Sequence, residues 1–126
     1  MSQAQYVVCL REGRVLHSGA IAEVYANPPT VEVMECLGPG NWLTPQEAEL
    51  WLDTTIRESR CFRPEQIAVE PAHISHIVVR ESTFLGSIAE VEVRDVNAAA
   101  AYRFVHRPSG PHLQPGSPVS IRLRTE

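Results

Sequence analysis

Between residues 88 and 95 the chain reads IAEVEVRD, and its apolar residues recur with a period of two. Ile88, Glu90, Glu92 and Arg94 fall on one parity, and Ala89, Val91, Val93 and Asp95 on the other. Successive side chains of a strand point to opposite faces, so this segment is a strand with one mostly apolar and one mostly charged face. The same alternation holds from residue 54 onward. TTIRES, QIAVEP, HIVVRES, SIAEVEVRDV, AYRFVHRP and VSIRLRTE are candidate strands, and Pro, Gly and Asn stand at most of the joints. Half-buried strands at this spacing predict a mainly β fold, a small antiparallel OB-like barrel or sandwich. A chain of 126 residues supports one modest core.

The first third follows a different pattern. YVVCLREGRVLH predicts strand, turn and strand, with Glu12 and Gly13 in the turn. AIAEVYANPP carries Ile21, Val24 and Tyr25 at helical spacing and stops at Asn27-Pro28-Pro29. A second short helix follows in TVEVMECLG, capped by Thr30, with either Val31, Met34 and Leu37 or Val33 and Leu37 on its apolar side and Gly38 as its stop. TPQEAELWL then has a helix start in Thr44, Pro45 and Glu47, the elements of a capping box with Pro at the first helical position. Leu50, Trp51 and Leu52 either close that helix or begin a strand.

Charge and cysteine content exclude several classes. The formal net charge is −4, which argues against a basic nucleic-acid footprint. Three Phe, two Trp and three Tyr, few of them interleaved with Arg, are a poor base-stacking surface. Cys9, Cys36 and Cys61 are far apart and form no C-x-x-C pair, so they suggest buried thiols, with neither a zinc site nor a disulfide framework. No apolar run has the roughly 20 residues of a membrane span. No basic region followed by a long apolar stretch marks a secretory signal.

An ordered set of short motifs carries a family resemblance. Gly13-Arg14-Val15, Gly19, Glu23-Val24-Tyr25, Pro28, Leu37-Gly38 and Asn41 occur in that order. Arg63-Pro64-Glu65 precedes the apolar Ile67-Ala68-Val69, Phe84-Leu85-Gly86 opens a charged segment, and Leu113, Gly116 and Val119 lead into SIRLR. This resembles the ATP-binding subunits of ABC importers, where the ATPase domain ends and a C-terminal regulatory domain of the TOBE type begins. The resemblance implies that residues 1–43 are the tail of an ATPase-like domain and residues 44–126 a TOBE-like β domain. It implies a non-catalytic regulatory and dimerising role in the cytoplasm, with ATPase or permease subunits as partners and a small-molecule effector. Two departures stand out. The helix-like TPQEAELW occupies a place where the family has a strand carrying Gly, and Ala20-Ile21 replaces the family's Thr-Pro.

Catalysis finds no support in the residues. The chain has no G-x-x-x-x-G-K-[ST] and none of its 11 basic residues is Lys, so nothing cradles and pairs a nucleotide phosphate. No strand ends in Asp-Glu to hold Mg²⁺, and no G-x-S-x-G places a nucleophile. No cofactor or metal is expected; His73 and His76 lack a nearby third ligand and are expected on the surface. The motif residues Arg63, Pro64, Glu65, Phe84, Leu85, Gly86 and Asn41 are therefore expected to be structural or interfacial. Arg63 is expected to pair with a carboxylate beside a helical turn started by Pro64 and Glu65, with a ligand contact as the lesser reading. Phe84-Leu85-Gly86 is expected to be core plus a bend. Trp42 and Trp51 are expected to pack in a core or interface. A stand-alone oxyanion-binding barrel, drawing on Arg63, Arg80, Ser82 and Thr83, is the alternative.

One physical argument points to self-association. YVVCL is apolar on consecutive positions, and a strand of that kind wants cover on both faces. An uncovered face and open edge invite a second copy. A homodimer is the expectation, with exchange of residues 1–43 as one way to form it.

Overall fold

A computed structural model describes residues 5–124. The front hairpin forms as its sequence predicts: β1 (Tyr6–Arg11) pairs antiparallel with β2 (Arg14–Ala20). Glu12 and Gly13 both take positive φ, 51° and 77°, as a tight primed turn requires. Two short helices follow, α1 (Ile21–Ala26) and α2 (Val31–Cys36). The Thr30 hydroxyl accepts from Val33 N at 3.2 Å and starts α2, and Gly38 at φ 121° turns the chain away. Cys9, Val24 and Val33 form a small core of their own, with Val7 and Leu37 against it.

The body begins at β3 (Asn41–Leu43), which pairs antiparallel with β4 (Arg60–Phe62). Between them lies α3 (Pro45–Leu52), and its capping box is complete: Glu47 N donates to the Thr44 hydroxyl and Thr44 N to the Glu47 carboxylate. Leu50, Trp51 and Leu52 complete the helix, and Asp53 ends it at φ 51°. TTIRES forms no strand. Residues 54–59 run as an irregular loop whose apolar anchor is the half-buried Ile56, so the alternation there reflects one inward residue among polar neighbours.

The remaining candidate strands form. β5 (Ile67–Pro71) pairs with β9 (Val119–Leu123), and β6 (Ile77–Phe84), β7 (Ala89–Asp95) and β8 (Ala100–His106) make an antiparallel meander. A bridge between Val78 and Pro118 and a bond from Val79 N to Ser117 O at 2.9 Å tie the two sheets. The result is a small antiparallel β sandwich of the OB-like kind. Its core includes Leu43, Phe62, Ile67, Val91, Val93 and Phe104, with Trp51 edge-on to Phe104 at 6.0 Å.

The parity read in β7 holds. Ala89, Val91, Val93 and Asp95 are all buried, while Glu90 and Glu92 pair with Arg103 on the outer face at 2.6 and 2.8 Å. Exposed pairs of this kind contribute well under about 1 kcal/mol each, so they order the outer face more than they stabilise it. Asp95 is buried because its carboxylate accepts from Asn97 N and Ala98 N and closes the turn into β8. Among the described residues no helix is long and apolar enough to cross a membrane.

Candidate functional site

Arg63 is 1% exposed, one of the largest fully buried side chains of the molecule. It stands before a 3-10 turn at Pro64–Gln66, where Pro64 takes the first helical position and the Gln66 side chain accepts from Arg63 N at 2.8 Å. The expected helical turn is therefore present. The expected carboxylate partner is not. Nε donates to Tyr25 O at 2.8 Å, and Nη1 to the carbonyls of Met34, Gly38 and Pro39 at 3.2, 3.0 and 3.2 Å. These carbonyls come from the C-terminal ends of α1 and α2 and the turn beyond. Helix ends leave carbonyls unpaired and carry partial negative charge, so four oxygens converging on one point replace a carboxylate.

Tyr25 completes the arrangement. The Arg63 guanidinium lies 4.2 Å from the centre of the Tyr25 ring, a cation–π contact. The Tyr25 hydroxyl donates to the Glu65 carboxylate, at 2.8 Å to one oxygen. Burial, with Glu65 adding to it, pushes the Tyr25 phenol up to about 12. Arg63, Pro64 and Glu65 thus form the body's side of a clamp on the front segment.

Asn41 is a second joint. Its amide nitrogen donates to Phe62 O at 2.9 Å and Val105 O at 2.8 Å, and its oxygen accepts from Val105 N at 2.7 Å. The side chain reproduces a strand's hydrogen-bonding edge and fastens the β3–β4 pair to β8. At the adjacent Gly40 a Cβ would stand 2.7 Å from the Met34 sulfur, so a side chain there would displace Met34.

Phe84-Leu85-Gly86 lies elsewhere, at the β6–β7 turn. The bend is as expected, with Gly86 at φ 100° and Leu85 N donating to Ile88 O at 2.8 Å. Phe84 and Leu85 are not core; they are 60% and 53% exposed, because the hairpin end projects past the sandwich. Trp51 is buried against Tyr102 and Phe104, and Trp42 is half-buried in β3. His73 and His76 are exposed, and among the described residues no three His, Cys, Asp or Glu side chains gather to hold a metal ion.

The donors of an oxyanion site do not converge. Arg63 lies buried with Nε and Nη1 on backbone carbonyls and Nη2 without a partner, and Arg80 stands apart from it, facing Glu92 at 3.2 Å on the outer face. His106 went unnoticed in the sequence. It is 3% exposed and neither ring nitrogen has a hydrogen-bond partner. The signal was available: His106 shares its parity with Tyr102 and Phe104, the inward residues of AYRFVH.

Both joints hold the front segment and β3 against the body through buried hydrogen bonds. No curated protein matches the chain. The TOBE domain matches residues 61–126, from the end of β4 through β9, and the chain belongs to that family of non-catalytic accessory domains associated with ABC transporters.

Proposed function

We propose that this chain is the regulatory and dimerising portion of the ATP-binding subunit of an ABC-type import system, working by association and not by reaction. Residues 1–43 would be the tail of the ATPase-like domain and residues 44–126 the TOBE body, placed at the cytoplasmic face of the membrane with ATPase or permease subunits as neighbours. The clamp at Arg63 supports this reading. It binds the carbonyls of two helix ends in the front segment, so a displacement of that segment is felt in the body.

The observation that carries association is the bare face of the front hairpin. Tyr6, Val8, Leu10 and Val15 are 76%, 56%, 60% and 63% exposed, and Leu10 and Val15 are paired across the strands. The opposite face, with Cys9, is buried on α1 and α2. An apolar sheet face of this kind marks an interaction surface. A second copy, meeting it face to face or exchanging residues 1–43, gives it cover. Size-exclusion chromatography with light scattering at micromolar concentration tests this: a dimer is expected, and a clean monomer overturns the dimerising role.

A further inference from the structure

The bulge in β6 rearranges one end of the meander. Val79 pairs with Val93 and Glu81 with Glu92, so Arg80 is the extra residue and the parity shifts. Beyond the bulge, Ser82 pairs with Val91 and Phe84 with Ala89, while on the other side of β7 Val91 pairs with Phe104 and Ala89 with His106. Paired residues share a face. Two rows therefore cross all three strands on the inner side: Ser82, Val91, Phe104 and then Phe84, Ala89, His106. In the outer row the small Ala89 separates two rings, and it leaves a gap between them.

The Pro-rich loop 107–117 roofs that gap. Pro108, Pro111 and Leu113 close over it, and Leu113 anchors the loop in the core. A cavity of about 450 Å³ results, lined by Ser82, Phe84, Ala89, His106 and the loop. A smaller one of about 150 Å³ adjoins it under the same loop toward Val69 and Pro71, and His106 lines both. The larger volume lies in the range of small-molecule sites.

We propose that this cleft binds a small neutral molecule in which an apolar ring carries a hydroxyl group. The unpartnered His106 is the first reason. A buried polar group without a partner is destabilising, and a neutral imidazole has one donor and one acceptor to satisfy. A hydroxyl group offers the complementary pair. The apolar walls are the second reason: Phe84, Ala89, Pro108, Pro111 and Leu113 suit a ring, and Phe84 adds an aromatic side chain to the lining. No Asp, Glu or Arg lines the larger cavity, so an anion or cation finds no counter-charge there; His112, at the rim and exposed, is the other titratable group. Burial, with Arg124 adding to it, holds His106 down to about 4, so it is neutral at pH 7. The loop closes both ring nitrogens to solvent, and the ligand reaches them as the loop shifts. The site lies within one chain and stands whether or not the chain dimerises.

Nuclear magnetic resonance titration of the intact protein with phenol tests this, with benzoate and toluene as probes of similar shape. Phenol is expected to give saturable shifts at the His106 ring, Phe84 and Leu113, at least fivefold tighter than toluene, with none from benzoate. The His106→Phe variant should lose the preference for phenol over toluene, and Ala89→Leu, which fills the gap, should lose both. The proposal is overturned if wild-type protein shows no saturable shift with phenol, if benzoate binds equally well, or if folded His106→Phe retains the preference.

Discussion

Arg63 holds Tyr25 twice, by a 2.8 Å hydrogen bond to its carbonyl and by a guanidinium 4.2 Å from the centre of its ring. The two contacts need different properties, a directional donor and a flat cation, and Arg supplies both. Arg63→Ala would strip the cation from four converging carbonyls. A loss of about 3 kcal/mol or more in urea unfolding is expected. Arg63→Lys should fall between wild type and Ala, because an ammonium keeps charge and some donors but cannot lie flat on the ring. Equal loss in both variants would mean that charge contributes nothing.

Asn41 is expected to tolerate no isosteric acid. Its amide nitrogen donates to Phe62 O and Val105 O, so Asn41→Asp would set a carboxylate against two carbonyl oxygens in a site 1% exposed. The expected cost is about 2–4 kcal/mol, larger than for an exposed position by the whole desolvation term. Hydrogen exchange at the Val105 amide, which donates to the Asn41 oxygen, should accelerate in Asn41→Ala.

What the sequence revealed divides by range. The Thr44–Glu47 capping box and the Glu12-Gly13 turn were legible because their partners lie within three residues. Strands β5 to β9 were legible because burial imposes period two. The partners of Arg63 were not, since they are backbone carbonyls of residues 25, 34, 38 and 39, and a carbonyl leaves no side-chain signature. TTIRES was misleading because one anchored Ile among polar residues imitates alternation. Phe84 was misplaced because the β6–β7 hairpin end projects past the sandwich, so a residue on its inner side still stands 60% exposed, and the strand's composition does not reveal where the cover ends.

The bare face of the front hairpin yields a direct test of association. Val8→Lys with Leu10→Lys places two charges on a face that is already solvent-exposed in the single chain. The substitutions should leave urea stability of the monomer within about 0.5 kcal/mol and convert a dimer to a monomer on light scattering. Retention of the dimer would move the interface away from this hairpin.

Acid should destabilise the fold through His106. Its folded value of about 4 lies below its ordinary 6.5, so the unfolded chain takes up the proton first as pH falls. Between those values the unfolded state binds more protons, and stability therefore declines as pH drops. The contribution is complete above about pH 6.5 and lost by about pH 4, a difference on the order of 3 kcal/mol at 1.36 kcal/mol for each pKa unit. Carboxylates titrate at the acid end of the same window, so the comparison must be made within a pair of proteins. His106→Phe keeps a ring in the row beside Ala89 and removes the titrating group. Its urea midpoint should fall less steeply than wild type from pH 6.5 to 4, and parallel curves would show that His106 is not held neutral by the fold.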